Sequence, residues 1–169
     1  NKTLTGTPTN AHVGNHTVTL RATDAAGLTA DQQFTITVKN TNQAPTITSS
    51  PSTSITEGSS YSYTLNASDP DQGDTLTYSQ VSIPSWLSFN TSNKTLTGTP
   101  TNAHIGNHTI TLRATDAAGL TDDQQFTITV ENTNQAPTIT SSPSTTITEG
   151  STYSYTLNAS DPDQGDTLT

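Results

Sequence analysis

Apolar and polar residues alternate along three stretches of the chain. The apolar members are Tyr61, Tyr63 and Leu65 in the first, Ile110, Leu112 and Ala114 in the second, and Phe126, Ile128 and Val130 in the third. A period of two places one residue type on each face of a β-strand. Shorter strands are predicted around Ile47, Ile55, Leu76, Tyr78, Leu87, Phe89 and Leu96. With turn clusters between them and no competing helical period, about seven strands predict an all-β Greek-key β-sandwich.

The chain also repeats itself at an offset of 92 residues. Residues 1–77 align with residues 93–169, and only six of the aligned positions differ. A repeat of this length matches a whole small sandwich of about 100 residues, whereas solenoid repeats are about 20–50 residues long. Each repeat is therefore expected to be a domain.

The polar sequence NTNQAP, at residues 40–45 and 132–137, is typical of a linker between domains. It predicts one complete repeat at residues 43–134, the C-terminal half of a repeat at 1–42 and the N-terminal half of the next at 135–169. The two halves lack a counterpart of residues 78–92, which contain the only tryptophan. The simplest expectation is a window from a longer tandem array. The alternative is that neighbouring chains complete the halves by exchanging strands.

Composition and charge exclude several kinds of partner. Hydrophobic residues make up 28% of the chain, charged residues 11%, and the formal net charge is -9. An acidic surface repels nucleic acid and anionic membranes, and no apolar run approaches the roughly 20 residues that cross a bilayer. We therefore expect neither nucleic-acid binding nor membrane insertion. The chain has no cysteine, which excludes disulfides and thiolate metal sites.

Acidic residues cluster at the predicted strand ends. In the complete repeat they are Glu57, Asp69, Asp71, Asp74, Asp116, Asp122, Asp123 and Glu131. Calcium takes about six to eight oxygen ligands, and the loop DPDQGD at residues 69–74 offers three carboxylates with amides and carbonyls nearby. Such carboxylates repel one another unless a cation or open solvent intervenes. The loop therefore predicts a calcium site, and the alternative is a solvated turn in which Asp and Gly serve the turn geometry.

The complete repeat resembles a known family along its whole length. The sequences NQAPTI, DPDQGDTLTYS, IPSWLSF, LTGTP, GNHTITLRATDAAGL and QQFTITVEN occur in this order. They are similar to the dystroglycan-type cadherin-like family, which overlaps with immunoglobulin-like repeats of large bacterial surface proteins. The resemblance implies a cadherin-like, immunoglobulin-like sandwich, strung in tandem, with calcium at the joints between domains.

The same resemblance implies metal ligands at two joints. The joint before the complete repeat would use Asn40, Asn42, Asp69, Asp71 and Asp116. The joint after it would use Glu57, Asn132, Asn134, Asp161 and Asp163. The chain lacks the Asp-Arg-Glu triplet of cadherins and has no Asp in its linker. We therefore expect about one or two calcium ions per joint, with dissociation constants of roughly 10⁻⁴–10⁻³ M.

Three other features have simple structural explanations. Seven Asn-x-Ser/Thr sequons occur, and a chain so rich in Ser and Thr forms such triplets by chance. His104 and His108 flank a Gly turn, where their side chains need not converge on zinc. The apolar alternation around Trp86 predicts a core residue rather than a sugar-stacking platform.

No GxSxG, GxxxxGK or HExxH motif is present. Near-identical tandem copies of a small domain lengthen a protein, whereas an active site rarely needs such repetition. The sequence therefore predicts a protein that is not an enzyme. The leading hypothesis is a structural spacer of a large extracellular bacterial adhesin, at the cell surface, in which calcium stiffens the joints between neighbouring repeats of the chain. Two alternatives remain open. One is a filament in which copies of the chain associate by strand exchange or lateral packing, and the other is a glycan- or matrix-binding module.

Overall fold

Strands dominate the computed structural model, which describes residues 2–163 and 165–169. The two linkers divide the described residues into a first segment (residues 2–42), a middle segment (residues 43–134) and a last segment (residues 135–163 and 165–169). The first segment contains β1 (Gly14–Thr23) and β2 (Thr29–Val38). The middle segment contains β3 (Thr46–Ile47), β4 (Ser54–Thr56), β5 (Tyr61–Thr64), β6 (Ala67–Ser68), β7 (Thr77–Ser82), β8 (Leu87–Asn90), β9 (Thr95–Gly98), β10 (Gly106–Thr115) and β11 (Thr121–Glu131). The last segment contains β12 (Thr138–Ile139) and β13 (Ala159–Ser160). Short 3-10 turns at Asn10–His12 and Asn102–His104 precede β1 and β10.

The middle segment forms a β-sandwich, as predicted. One sheet has the strand order β4-β11-β10-β7, the facing sheet has the order β5-β9-β8, and β3 pairs with β6. Nine strands form where about seven were predicted. β3 contains Ile47, as expected, whereas the two-residue strand β6, which pairs with β3, was not predicted. Leu76 was expected in a strand but precedes β7, which begins at Thr77. Among the described residues, no helix has the length and hydropathy needed to cross a bilayer.

The core lies between the two sheets of the middle segment. Leu65, Leu96 and Leu112 are fully buried there, together with the β-branched side chains of β10 and β11. Trp86 is a core residue, as predicted, and its ring meets the Tyr61 ring edge-on at 6.3 Å between centroids. Gly98 is required beside it, because a Cβ atom at this position would clash with the Trp86 carbonyl oxygen. The tryptophan thus joins β8 closely to β9.

Local interactions fix the β10–β11 hairpin. The turn closes when the Leu120 backbone N–H donates to Asp116 Oδ1 at 2.7 Å, and Gly119 adopts a φ of 96° that suits glycine. The register pairs Thr115 with Thr121 and continues to Gly106 opposite Val130. This register sends the apolar side chains of both strands to the core face.

Within residues 2–163 and 165–169, the flanking segments repeat only the short-range strand pairings of the middle segment. β1 and β2 pair in the same register as β10 and β11, and β12 pairs with β13 as β3 pairs with β6. Residues 4–6 and 153–156, which are the counterparts of strand residues in β9 and β5, have no strand assignment. Their apolar side chains are exposed where those of the middle segment are buried.

Candidate metal centre

Three carboxylates converge at the end of the middle sandwich that faces the first linker. Asp69 follows β6 directly, Asp74 ends the same loop, and Asp116 follows the last residue of β10. Each offers an oxygen, and these oxygens lie within 4.8 Å of one another. Asp69 and Asp74 are half-buried, and Asp116 is buried. The sandwich therefore brings residues more than 40 positions apart into one oxygen-lined site.

Asp71 organises the loop between these carboxylates. Its backbone N–H donates to Asp69 Oδ1 at 2.8 Å, which makes a local side-chain turn of the kind that Asp favours. Its carbonyl oxygen accepts from the Asp74 backbone N–H at 3.2 Å. The Asp71 side chain is only 4% exposed, so this loop holds a carboxylate away from solvent. Burial of that kind is costly unless the charge is paired.

The first linker hydrogen-bonds to the same carboxylates. Asn42 Nδ2 donates to Asp116 Oδ2 at 2.7 Å, and the Gln43 backbone N–H donates to Asp71 Oδ2 at 2.7 Å. From the preceding segment, Asn10 Nδ2 donates to the Pro70 carbonyl oxygen. The acidic loop is therefore the place where the first segment, the linker and the middle sandwich meet.

Several carboxylate oxygens of this cluster lack partners. Asp69 Oδ2, Asp71 Oδ1 and Asp74 Oδ2 are buried and have no hydrogen-bond partner among residues 2–163 and 165–169. Buried polar atoms are nearly always paired in folded proteins, so three unpaired oxygens in one loop are unusual. They form an acceptor-only set with no donor of its own, which fits a hard cation.

The electrostatics of the cluster differ between its members. Burial, followed by the charges of Asp69, Asp116 and Asp71, raises the pKa of Asp74. Burial also acts to raise the pKa of Asp116, but hydrogen bonds from Asn42 and from the backbone N–H groups of residues 118–120 outweigh it and lower that pKa. Hydrogen bonds therefore stabilise the charged form of Asp116. The negative charges of the neighbouring carboxylates, in contrast, destabilise the charged form of Asp74.

A second cluster occupies the equivalent loop after the second linker. Asp161, Asp163 and Asp166 offer oxygens within 4.8 Å of one another, and Asp163 is 3% exposed. The Gln135 backbone N–H donates to Asp163 Oδ2 at 2.5 Å, as Gln43 does to Asp71. Asn102 Nδ2 donates to Asp163 Oδ1 at 3.2 Å and to the Pro162 carbonyl oxygen at 2.5 Å. The contacts that Gln43 and Asn10 make at the first joint thus recur at the second.

The predicted ligands divide into two groups. Asn42, Asp69, Asp71 and Asp116 meet at the first joint, and Asp161 and Asp163 meet at the second. Glu57 accepts a hydrogen bond from the Thr133 backbone N–H at 3.1 Å, and Asn134 donates to its neighbour Gln135. Asn40 and Asn132 are exposed, and within the described residues no hydrogen bond links them to either cluster. The role of all ten residues as metal ligands stays a prediction.

The ligand sets implied by the resemblance left out four residues at the joints. Asp74 and Asp166 belong to the clusters, and Asn10 and Asn102 link successive repeats across them. The third acidic position of DPDQGD was a signal for the two aspartates. No sequence signal marks the two asparagines, because their contact depends on how one repeat sits on the next.

Comparison with protein families identifies the fold. The family model described as "Putative Ig domain" matches residues 1–39 and again residues 44–131. The chain belongs to this family of Ig domains. The two matches agree with the tandem repetition seen in the sequence.

These Ig repeats are similar to regions of curated bacterial adhesins. The "Serine-rich adhesin for platelets" of Staphylococcus aureus is 36% identical over 142 residues, which is 84% of this chain and 6% of the adhesin. The same adhesin from strain MRSA252 is also 36% identical over 142 residues, which is 10% of its length. The chain therefore spans a small fraction of the relatives that it matches. The similarity to an adhesin supports the predicted cell-surface location.

Solved cadherin structures share the architecture. The protocadherin structure titled "PcdhgB3 EC1-4" has a TM-score of 0.64 and 21% identity, and the match covers 92% of this chain and 42% of that one. The protocadherin gammaB7 EC3-6 structure has a TM-score of 0.62 and 20% identity, and the match covers 92% and 45% of the two chains. At these identities the likeness establishes the fold alone. The cadherin-like, immunoglobulin-like sandwich predicted from the sequence is confirmed.

Proposed function

We propose that the chain is a non-enzymatic spacer from a large extracellular adhesin, built of tandem sandwich repeats whose joints bind calcium. In this proposal the complete repeat spans residues 43–134, and residues 1–42 and 135–169 belong to the repeats on either side. Membership of the Ig-domain family, similarity to a staphylococcal adhesin and tandem repetition support the spacer role. The protein would contribute length and stiffness rather than chemistry.

The unpaired carboxylate oxygens of the loop at residues 69–74 carry the calcium proposal. Asp69, Asp74 and Asp116 would hold the ion, with Asp71 beside them. All of the donors are oxygens, which suits calcium better than a transition metal. Bound calcium would supply the positive charge that the cluster lacks and would remove the repulsion between its members.

The linker contacts explain how such binding would stiffen a joint. Asn42 and Gln43 already hydrogen-bond to Asp116 and Asp71, so the position of the linker depends on the positions of these carboxylates. When the carboxylates repel one another, the loop and the linker loosen together. When a cation draws the carboxylates together, the linker and Asn10 of the preceding segment are held in place.

Calcium titration of the whole chain tests this proposal. We expect binding in the range of roughly 10⁻⁴–10⁻³ M by isothermal titration calorimetry. The Asp74→Asn substitution should weaken that binding about tenfold or more, because it removes a charged ligand. The matched control is Asp31→Asn, which removes one carboxylate charge from an exposed ion pair with Arg21, outside both clusters. Equal binding by wild type, Asp74→Asn and Asp31→Asn would contradict the proposal.

Thermal melting gives a second readout of the same change. In a chelator, Asp74→Asn should raise the melting temperature at pH 7, because it removes a charge that its neighbours repel. In excess calcium the same variant should melt below wild type, because it loses ligand-linked stabilisation. The difference in melting temperature between variant and wild type therefore changes sign with calcium.

Small-angle scattering should show a shorter maximum dimension of the chain in chelator than in calcium. An unchanged dimension would eliminate calcium as the stiffener.

A further inference from the structure

The 3-10 turns before β1 and β10 each carry an asparagine that contacts the following repeat. At the second joint, Asn102 Nδ2 donates to the Pro162 carbonyl oxygen at 2.5 Å and to Asp163 Oδ1 at 3.2 Å. At the first joint, Asn10 Nδ2 donates to the Pro70 carbonyl oxygen. Asparagine and proline lie 60 positions apart in both cases. A contact that recurs at the same positions of successive repeats is a property of the repeat.

Each turn is braced by a threonine and two histidines. In the second turn, the Thr101 backbone N–H donates to His104 Nδ1 at 3.0 Å, and the His104 backbone N–H donates to the Thr101 carbonyl oxygen at 2.8 Å. The His104 carbonyl oxygen accepts from His108 Nε2 at 2.6 Å. The His104 ring also lies 6.4 Å from that of Trp86, between centroids, which places the turn against the core. Asn102 therefore belongs to a braced turn rather than to a free loop.

The first turn repeats this bracing. The Thr9 backbone N–H donates to His12 Nδ1 at 3.0 Å, and the His12 carbonyl oxygen accepts from His16 Nε2 at 2.6 Å. In both turns the Nδ1 atom accepts from a backbone N–H, so it carries no proton and the ring takes one tautomer. The same local hydrogen bonds thus hold Asn10 and Asn102 in the same position of their repeats.

The acceptors lie in the loop that carries the candidate cation site. Asp163 is 3% exposed, and its second oxygen, Oδ2, accepts from the Gln135 backbone N–H at 2.5 Å. This carboxylate therefore receives hydrogen bonds from the preceding repeat, through Asn102, and from the linker, through Gln135. Hydrogen bonds to a charged group are stronger than neutral ones and offset part of the cost of burying it. The contact thus has a stabilising partner without a metal ion.

We propose that Asn10 and Asn102 are metal-independent latches, each of which fastens the 3-10 turn of one repeat to the acidic loop of the next and keeps the linker in register. This inference rests on the proposed tandem spacer but not on its calcium sites. An amide suits the role, because its N–H groups donate to carbonyl and carboxylate oxygens without adding charge to the acidic loop. In chelator the joint bends about the latch, and calcium then fixes the angle.

Amide hydrogen exchange of the whole chain in chelator tests the latches. The backbone N–H groups of Gln43 and Gln135 donate to the acidic loops at the first and second joints, so they report on the two joints separately. Asn10→Ala should speed exchange at Gln43 about fivefold and leave Gln135 unchanged, because it removes one hydrogen bond to the loop. Asn102→Ala should speed exchange at Gln135 at least as much and leave Gln43 unchanged. Each variant is the matched control for the other.

Replacing the donor by an acceptor of the same shape should have a larger effect. Asn102→Asp puts a carboxylate opposite the Pro162 carbonyl oxygen and Asp163 Oδ1, so exchange at Gln135 should rise about tenfold or more. The Leu120 N–H donates to Asp116 at the opposite end of the middle sandwich and should exchange at the wild-type rate in every variant. Its rate shows that the repeat remains folded.

The bracing residues should act only through the latch. His104→Ala removes the acceptor of the Thr101 N–H but keeps Asn102, so it should speed exchange at Gln135 less than Asn102→Ala does. In the Asn102→Ala background the same change should add nothing. A general structural role of His104 would instead add its effect in both backgrounds.

A distance measured across the first joint gives a second readout. The chain has no cysteine, so Thr35→Cys and Thr127→Cys, at exposed and equivalent positions of β2 and β11, provide two unique sites for spin labels. In chelator, Asn10→Ala should broaden the distribution of distances between the labels. Asn102→Ala, which acts at the other joint, should leave that distribution unchanged.

Three results would overturn the latches. The first is exchange at Gln43 and Gln135 that neither alanine variant changes. The second is an equal change at both joints in each variant, which would indicate general loosening. The third is an effect that appears only in calcium, because the contact would then depend on the metal. A chain that binds no calcium but shows the reciprocal pattern in chelator would overturn the calcium function and support the latches.

Discussion

The hairpins β1–β2 and β10–β11 have nearly the same sequence and the same register, but only one of them lies in a core. Gly14 pairs with Val38 in one hairpin and Gly106 with Val130 in the other, and the intervening pairs correspond throughout. The backbone of the hairpin therefore depends on its turn and its alternating pattern. The burial of its side chains depends on β5 and β9, which come from elsewhere in the chain.

The strands that need distant partners behave in the opposite way. β9 lies between β5 and β8, whereas residues 4–6, which correspond to residues 96–98 of β9, have no strand assignment. β4 pairs with β11, and its counterpart at residues 146–148 likewise has no strand assignment. The local sequence is therefore enough to form the hairpin. β4 and β9, in contrast, form only where the other strands of their sheets are present.

Truncating the matched leucines should have the largest effect on this comparison. Leu112→Ala should lower the free energy of unfolding of the middle sandwich by about 2–5 kcal/mol, because it leaves a cavity in a fully buried site. Leu20→Ala removes the same atoms from an exposed site and should change that free energy by less than about 0.5 kcal/mol. Denaturant unfolding followed by Trp86 fluorescence measures both. Equal effects would mean that the two hairpins share one environment.

Adding a methyl group at the matched glycines gives the next largest effect. Gly98→Ala would drive a Cβ atom into the Trp86 carbonyl oxygen and should cost about 1–3 kcal/mol. Gly6→Ala meets no atom within 4 Å and should be tolerated. The same unfolding experiment separates them. A stable Gly98→Ala variant with native Trp86 fluorescence would show that β8 can move away from β9.

The matched tyrosines should give the smallest effect. Tyr61 donates to the Ser52 carbonyl oxygen at 2.8 Å, and Tyr153 donates to the Ser144 carbonyl oxygen at 2.9 Å, but only Tyr61 is buried. Tyr61→Phe should therefore cost about 1 kcal/mol at neutral pH, and Tyr153→Phe should cost less.

The same substitution should also change the response to alkaline pH. Burial, with the nearby Tyr63, raises the pKa of Tyr61 to about 12. Since the folded-state pKa lies above the unfolded value, the contribution of Tyr61 to stability is complete below about pH 10 and is lost as the pH rises toward 12. Tyr61→Phe should flatten the loss of stability between these pH values, and Tyr153→Phe should not. Equal slopes for both variants would assign the alkaline transition to other groups.

Much of this fold follows from short-range patterns in the sequence. The alternation around Ile110 and Ile128 predicts the hairpin, and the 92-residue offset predicts the tandem organisation. The two-residue strand β3 was expected around Ile47, but β6 was not predicted, because two residues show no period. Their pairing is visible only once the chain has folded back on itself.

The candidate site was predictable where its residues follow a motif. Asp69 and Asp71 were found by their spacing in the loop, and Asp116 was added by the resemblance to cadherin-like joints. Asp74 was counted among the three carboxylates of the predicted calcium loop, but it was left out of the ligand set because the resemblance carried over only an Asp-x-Asp pattern. Asn102 could not be found this way, because it contacts a residue about 60 positions along the chain, in the next repeat.

The parallel pairing of β4 with β11 also determines how the sandwich meets tension along the chain. These strands lie near the two ends of the middle segment, and their backbones bond from Thr129 opposite Ser54 to Glu131 opposite Thr56. A pull on both ends drags parallel neighbours in opposite directions, across the axes of their hydrogen bonds. The bonds are then sheared together and cannot be unzipped one at a time. A tether made of such modules would resist being drawn out by flowing liquid.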